Sequence, residues 1–179
     1  MKQLVQSAFI KRILLLPVLV SVFLVAGCAT PPSGIMPLPY SESEDAPYKK
    51  AGTGSLKGQA FLKTRGGDIK KGAGNNVYLM PATSYGTQRY EQIFVAGQSF
   101  SEVPDKRHGG SVRTTISDAE GRFEFKGLPA GKYYAFTTVT WEVPSTNQFM
   151  RGMMETQGGL IHSPTMIKEG ETTEIILTR

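Results

Sequence analysis

The hydrophobic residues fall into one continuous run near the start of the chain and into short alternating segments after residue 54. The continuous run covers residues 13–26 and follows a stretch that contains three basic residues. About fourteen apolar residues are too few to cross a hydrocarbon core of about 30 Å as a helix, and Pro17 weakens such a helix further. A basic start before a short apolar run is typical of a secretion signal, so we predict a signal peptide over residues 1–27.

Alternation of apolar and polar residues predicts β-strands in the rest of the chain. In residues 122–126, Phe123 and Phe125 alternate with charged side chains, and a long β-rich run covers residues 132–143. Shorter predicted strands lie at 56–62, 76–81, 114–117, 160–167 and 172–177. Because turns rich in Gly, Pro and Asp separate these segments, the pattern predicts an all-β fold. We expect a single antiparallel Greek-key β-sandwich of about seven strands.

Three segments lack a clear strand pattern. Residues 85–100 carry Tyr90 and Phe94 near helical spacing, so we predict a short helix or a long loop laid against the sheet edge. Residues 144–159 are predicted to form a loop. Between the signal and residue 55, five prolines and an acidic stretch without periodicity predict an extended tether.

The charge balance argues against nucleic-acid binding. The chain of 179 residues has 20 basic and 15 acidic residues, but three of the basic residues lie in the predicted signal. The exported part therefore carries 17 basic against 15 acidic residues, and no basic run with interleaved aromatics occurs in it. We expect no nucleic acid among the partners.

The chain contains one cysteine, Cys28, and it stands directly after the predicted signal. The residues Val25, Ala26, Gly27 and Cys28 resemble the lipobox of bacterial lipoproteins. The resemblance implies cleavage before Cys28 and a covalent diacylglycerol on its thiol, with no other cofactor. Several buried acyl chains would hold the chain at a membrane. By the same resemblance, Ala29 in place of Asp indicates the outer membrane of the cell envelope, on its periplasmic or surface face.

A turn-and-strand motif between Asp118 and Tyr133 carries a second resemblance. Its two parts fit the patterns T-D-x-x-G-x-F-x-F and G-L-P-x-G-x-Y. The residues concerned are Gly58, Asp118, Gly121, Phe123, Phe125, Gly127, Leu128, Pro129, Gly131 and Tyr133. They resemble those of the carboxypeptidase regulatory-like domains, transthyretin-like sandwiches related to the Cna-B-like modules of bacterial surface proteins. The resemblance implies turn and core roles for these residues rather than chemistry.

These patterns divide the chain into three predicted parts. A lipoprotein signal peptide covers residues 1–27, and a lipidated N-terminus with a flexible tether covers residues 28–54. A carboxypeptidase regulatory-like β-sandwich domain covers residues 55–179.

No set of residues in the sequence has catalytic or metal-binding spacing. His108 and His162 are far apart and lack a neighbouring Cys, Asp or Glu at ligand spacing, so we predict surface or loop histidines and no metal site. The sequence contains no G-x-S-x-G segment of the kind that holds a hydrolase nucleophile. We therefore expect no catalytic residues.

Two groups of side chains have properties that suit a ligand. Met150, Met153 and Met154, with His162 and Met166 beyond them, carry the thioether and imidazole donors that suit Cu(I). A flexible apolar loop that covers the sandwich is the interpretation we favour. Trp141, together with several tyrosines, would form a carbohydrate platform if exposed, although core packing is the favoured prediction.

Together, these observations predict a membrane-anchored envelope lipoprotein that is not an enzyme and serves as an interaction or structural module. Its expected partners are the membrane, through the lipid anchor, and other envelope proteins. The alternative is a carbohydrate- or peptide-binding module in which Trp141 contacts a glycan. An unrecognised hydrolase is the least favoured hypothesis.

Overall fold

Eight β-strands form the framework of residues 35–179, the part of the chain that the computed structural model describes. The strands are β1 (Gly54–Lys63), β2 (Ile69–Lys71), β3 (Asn76–Pro81), β4 (Arg113–Ile116), β5 (Arg122–Leu128), β6 (Gly131–Pro144), β7 (Met154–Ile167) and β8 (Thr172–Leu177). The helices are α1 (Glu42–Lys49) and α2 (Ser84–Arg89), and a π-helix over Tyr90–Val95 follows α2. Short 3₁₀ helices cover Lys106–Gly110 and Gln148–Met150.

The strands form two sheets. In sheet 1, β1 pairs antiparallel with β2 and β5 and parallel with β8. In sheet 2, the order is β4-β3-β6-β7, and every pair is antiparallel. Residues of both sheets contribute to one core, so the prediction of an all-β sandwich is confirmed. The additional strand is the three-residue β2, which is too short to show an alternating pattern.

The core lies between the sheets because alternate residues of each strand point inward. In β6, Tyr133, Ala135 and Val139 are buried, whereas Tyr134 and Phe136 lie on the outward face. Full burial of a large apolar side chain contributes roughly 1.5–3 kcal/mol. The buried cluster consists of Leu56, Ala60, Leu62, Val77, Leu79, Phe123, Phe125, Leu128, Tyr133, Ala135, Val139, Ile161, Ile167 and Leu177.

The turns of the sequence motif are held by local hydrogen bonds. Asp118 Oδ1 accepts hydrogen bonds from two backbone N–H groups of the β4–β5 turn, at 2.9 and 2.8 Å. Gly121 closes that turn with a φ of +76°. In the next turn, between β5 and β6, Tyr133 Oη donates to the carbonyl oxygen of Pro129 at 2.9 Å. These contacts define where β5 begins and where β6 begins.

The remaining motif residues lie on or beside β1 and β5. Gly58 is on β1, where a Cβ would lie 2.4 Å from the Phe123 ring, so only glycine leaves room for that ring. Phe125 and Leu128 belong to the core cluster. Gly127, near the end of β5, adopts a positive φ of 66°, and Gly131 is the first residue of β6.

Part of the predicted tether is folded. Residues 35–179 belong to one compact unit, and α1 lies inside the segment that we predicted to be extended. Ser41 caps α1, because its hydroxyl accepts a hydrogen bond from a backbone N–H of the first turn. Tyr48 then packs edge-on against Tyr133 with a centroid distance of 5.1 Å. The prediction of an extended tether is therefore wrong for residues 42–49, where capping and this aromatic contact outweigh the nearby prolines.

The β6–β7 hairpin is longer than the sequence predicted. The predicted loop over 144–159 is wrong in extent, because β7 begins at Met154 and pairs with β6 along its full length. Gly158 and Gly159, at the end of the predicted loop, lie within β7 opposite Thr140 and Val139. Since β3 pairs with β6 only over 133–137, the outer part of the hairpin extends beyond the four-stranded sheet.

The helical segment after β3 packs on the outward face of sheet 2. Tyr90 stacks on Tyr134 with a centroid distance of 3.8 Å, and Phe94 lies 4.6 Å from Phe136. The structure therefore confirms a short helix in residues 85–100. We predicted that it would lie at the sheet edge, whereas the outward aromatic side chains of β6 hold it over the face.

His108 lies between strands, in the short 3₁₀ helix Lys106–Gly110, which fits the loop alternative of the prediction. The surface alternative is wrong, because only 5% of the residue is exposed and its ring packs against Tyr85 at 4.9 Å. Among the described residues, neither ring nitrogen has a hydrogen-bond partner. Burial lowers the pKa of His108 below its usual value, and the nearby Asp45 opposes that effect.

We expect Gly121→Ala to lower the free energy of unfolding by about 3 kcal/mol, because left-handed backbone and crowding both disfavour a side chain there. A Cβ at this position would lie 2.5 Å from the carbonyl oxygen of Ala60. Gly74→Ala is the matched control, since Gly74 also has positive φ but no atom lies within 4 Å of a Cβ. It should cost only about 1 kcal/mol. Urea denaturation measures both free energies of unfolding. Equal decreases for the two variants would contradict the crowding that we assign to position 121.

We expect the melting temperature to fall as the pH is lowered from about 7 to about 5, because protons bind the unfolded state more readily than buried His108. The lowered pKa of His108 means that its stabilising effect is present above its usual value of 6.5 and is lost as the pH falls toward the folded-state pKa. Differential scanning calorimetry of His108→Gln should show a smaller slope over this range. An unchanged slope would assign the pH dependence to other groups.

Candidate functional site

A groove of about 860 Å³ lies on the outward face of sheet 1. Outward side chains of three neighbouring strands form its floor, and the end of β4 forms one side. The lining residues are Lys57, Gly58, Gln59, Thr115, Ile116, Ser117, Asp118, Arg122, Phe123, Glu124, Glu174, Ile175 and Ile176. We call this surface the sheet 1 groove.

Strand register places the polar side chains of the groove in two rows across the sheet. In the first row, Lys57 of β1 lies between Glu124 of β5 and Glu174 of β8. In the second row, Gln59 lies between Arg122 of β5 and Ile176 of β8. These positions point outward because the residues that alternate with them, such as Leu56 and Ala60, belong to the core.

Some of these polar groups already have partners, and others do not. Lys57 Nζ lies 3.6 Å from Glu124 Oε1, and Gln59 Nε2 donates to the carbonyl oxygen of Glu120 at 2.8 Å. Within residues 35–179, Arg122 and Glu174 form no side-chain ion pair. The second row therefore presents an Arg guanidinium, and the first row a carboxylate, both free to bind a ligand.

Exposed aliphatic side chains lie beside these polar groups. Ile116 is 67% exposed and Ile176 is 61% exposed, and both line the groove. A surface that combines charged hydrogen-bonding groups with small apolar areas suits a polar ligand that also has apolar faces. The groove therefore has the properties of a binding surface.

The sequence did not point to this site. It identified the outward positions of β5, but these looked like ordinary solvent-exposed residues. The groove exists because β8 pairs with β1 in parallel, and that pairing joins residues more than a hundred positions apart. The available signal was the spacing of Glu174 and Ile176 in the last predicted strand, because residues two apart share one face of a strand.

Trp141, the predicted ligand contact, lies outside the groove. It is half-buried at the far end of the core face of β6 and packs against the core cluster. A Cβ on Gly158 would lie 2.9 Å from its ring, so the indole covers that glycine of the neighbouring strand. Both the core contact and the glycine beneath the ring indicate a packing role.

The aromatic side chains on the outward face of sheet 2 contact one another. Tyr78 stacks on Phe136 at 5.2 Å, and Tyr90 Oη lies 2.8 Å from His162 Nδ1. Tyr90 is only 8% exposed, and its ring faces Tyr134. This cluster therefore holds the helical segment on sheet 2 rather than presenting a free aromatic platform.

The structure does not bring the predicted methionine group together with the histidine. Met154 is the first residue of β7, while Met166 is next to its last. A strand rises about 3.3 Å per residue, so these two residues are separated by about 40 Å. His162 lies on the strand between them and is hydrogen-bonded to Tyr90. In residues 35–179, no three His, Cys, Asp or Glu side chains are grouped as metal ligands.

The tip of the β6–β7 hairpin carries exposed apolar residues. Phe149 is 88% exposed, Met153 is 61% exposed and Met154 is 56% exposed. The tip has local order, since Asn147 Oδ1 accepts a hydrogen bond from the N–H of Phe149 at 3.0 Å. The apolar loop that we predicted to cover the sandwich therefore projects away from it.

The predicted lipid site lies outside the described residues. Val25, Ala26, Gly27 and Cys28 precede residue 35, so acylation stays a prediction. Over residues 35–179, the helices are all shorter or less apolar than a membrane crossing requires.

Comparison with known proteins identifies a substantial structural relative. A solved structure from Pseudomonas aeruginosa, named as a candidate carbohydrate-binding protein, shares 30% sequence identity with a TM-score of 0.68. The match covers 80% of this chain and 99% of that chain. A minor pilin of Streptococcus agalactiae matches with 14% identity and a TM-score of 0.37, over 72% of this chain and 44% of the pilin, which is too weak to bear on function. No protein-family model and no curated protein sequence matches the chain.

We expect Trp141→Ala to lower the free energy of unfolding by about 2–3 kcal/mol, because it removes a large side chain that packs against the core. Phe149→Ala is the control, since Phe149 is 88% exposed. It should change stability by less than about 0.5 kcal/mol. Urea denaturation of both variants measures the difference. If Trp141→Ala left the free energy of unfolding unchanged, the packing role would be contradicted and Trp141 would again be a candidate ligand contact.

Proposed function

We propose, from the fact that this chain belongs to the same family as the Pseudomonas aeruginosa protein, that it is a non-enzymatic carbohydrate-binding module of the cell envelope. The ligand would lie in the sheet 1 groove and contact the outward side chains of β1, β5 and β8. The observation that carries the proposal is the pair of cross-strand rows, in which Arg122 and Glu174 face solvent without ion-pair partners among the described residues.

The chemistry of the groove suits a sugar. Each hydroxyl of a saccharide both donates and accepts a hydrogen bond, so a groove that carries both a carboxylate and a guanidinium offers partners for the two roles. Glu174 would accept from hydroxyl groups, and Arg122 would donate to hydroxyl or ring oxygens. Hydrogen bonds to charged groups are stronger than those between neutral groups. Ile116 and Ile176 would pack against the C–H faces of the sugar ring.

The comparison supports the same ligand class. The match covers almost the whole length of the relative, which is named as a candidate carbohydrate-binding protein. Carbohydrate binding was the alternative hypothesis from the sequence, with Trp141 as the contact. The proposal keeps that ligand class and assigns it to the groove instead.

The membrane anchor is a separate part of the proposal. It rests on Val25, Ala26, Gly27 and Cys28 after a short apolar run, a pattern that resembles a lipobox. Acylation of Cys28 would keep the module at a membrane of the envelope, with the outer membrane as the expected location. Protein partners in the envelope are compatible with this placement, and the exposed hairpin tip offers them a surface.

Binding to a glycan array of bacterial and host saccharides, followed by calorimetric titration of the strongest ligand, tests the groove. Arg122→Ala and Glu174→Ala should each weaken binding at least about tenfold, which corresponds to about 1.4 kcal/mol, because each removes a charged hydrogen-bonding group. Both side chains are exposed, so neither substitution should alter the fold.

Lys168→Ala and Phe149→Ala are the controls, since both residues are exposed and neither lines the groove. They should bind like the unmodified protein. Absence of any saccharide ligand would contradict carbohydrate binding. If both groove variants still bound the saccharide and a control variant did not, the binding site would lie elsewhere on the domain.

A further inference from the structure

The first described residues run along the helical side of the domain. Ile35 pairs with Phe100 in an isolated β-bridge, and Ser101 N donates to the carbonyl oxygen of Ile35 at 3.2 Å. Gln88 of α2 holds the next residues: its Nε2 donates to the carbonyl oxygen of Met36 at 3.2 Å, and its Oε1 accepts from the N–H of Leu38 at 2.6 Å. The point at which the chain joins the domain is therefore fixed.

Large apolar side chains are exposed around that point. Met36 is 63% exposed and Leu38 is 44% exposed, although both are anchored through their backbones. Val103, two residues after Ser101, is 86% exposed, and Val95 at the end of the π-helix is 66% exposed. We call Met36, Leu38, Val95 and Val103 the N-terminal patch. Met36 Sδ lies 3.6 Å from Ser101 Oγ, and all four residues stand on the segments that the contacts of Ile35 and Gln88 join. Exposed apolar residues grouped on one part of a surface mark an interaction site.

The chain between Cys28 and this patch is short. Seven peptide steps separate Cys28 from Ile35. An extended chain covers at most about 3.6 Å per residue, so Ile35 lies within about 25 Å of the Cys28 position. A lipid on Cys28 would therefore hold this side of the domain near the bilayer surface.

We propose that the N-terminal patch is a membrane-docking surface that rests on the phospholipid bilayer to which Cys28 is anchored. The inference depends on the lipid anchor of the proposed function and adds an orientation to it. The anchor raises the effective concentration of the bilayer near the patch, so a modest apolar contact suffices for docking. The sequence beside Val103 carries charges of both signs, in Glu102, Asp105, Lys106 and Arg107, so the contact rests on apolar side chains rather than on net charge.

This docking places the sheet 1 groove on the side away from the membrane. The patch lies beside α2 and the π-helix, and that helical segment packs on the outward face of sheet 2 through Tyr90 and Phe94. The groove lies on the outward face of sheet 1, across the core. A docked domain would therefore present the groove to the aqueous compartment, where a glycan is accessible.

Fluorescence quenching by membrane lipids tests the contact. The full acylated protein is reconstituted in vesicles of phosphatidylethanolamine and phosphatidylglycerol that contain doxyl-labelled phosphatidylcholine. Separate Val103→Cys and Val95→Cys variants carry a fluorophore on the new thiol, since acylation blocks Cys28. Ile176→Cys in the groove is the control, because it is similarly exposed at 61%. The labels at 103 and 95 should be quenched at least about twice as strongly as the label at 176.

Two further measurements on the same samples separate the outcomes. Vesicle flotation and the acyl mass on Cys28 report whether the anchor is present. Acylated protein that floats, but whose three labels are quenched equally, would overturn the docking inference and leave the anchor intact. Protein that carries no acyl group and does not float would refute the anchor, and the docking inference would fall with it.

Discussion

The structure depends on the position of β1 in the middle of sheet 1. This strand is hydrogen-bonded on one side to β5 and on the other to β8, so its register fixes the faces of all three strands. Leu56 and Ala60 point into the core, and as a consequence Lys57 and Gln59 point outward. A shift of one residue would bury a charge and expose the core, which makes the register strongly determined. The polar rows of the groove follow from the same constraint that closes the core.

The two outward faces of the sandwich have different surroundings. On sheet 2, the aromatic residues of β6 are covered by the helical segment that follows β3, so that face forms a second apolar layer. On sheet 1, no helix or strand among the described residues covers the outward positions, and charged side chains stay in contact with solvent. The covered face adjoins the N-terminal segment, and the open face carries the candidate site. Anchoring and ligand binding would thus use opposite sides of one small domain.

The sequence predicted the parts of the fold in which local pattern and tertiary packing agree. The strands around Phe123 and Phe125 alternate clearly, and the long β6 strand divides into two faces as expected. The predictions were wrong where local composition is typical of a loop but tertiary packing stabilises a strand. Gly158 looked like a loop residue, yet it lies in β7 beneath the ring of Trp141.

The candidate site was less predictable than the fold. It requires the parallel pairing of the last strand with the first, which depends on closure of the whole sandwich rather than on any local signal. The burial of His108 has a similar origin, because Tyr85 from a distant part of the chain packs against it. The sequence offered Trp141 as a ligand contact because its side chain is aromatic, whereas in the structure Trp141 packs against the core cluster.

The central claim is that the open face of sheet 1 binds a saccharide. A nuclear magnetic resonance titration of the isotopically labelled protein with an oligosaccharide identifies the contact surface residue by residue. We expect shift changes in β1, β5, β8 and the end of β4, with little change in the β6–β7 hairpin. Shift changes centred on Trp141 and that hairpin, with the groove unaffected, would contradict the account.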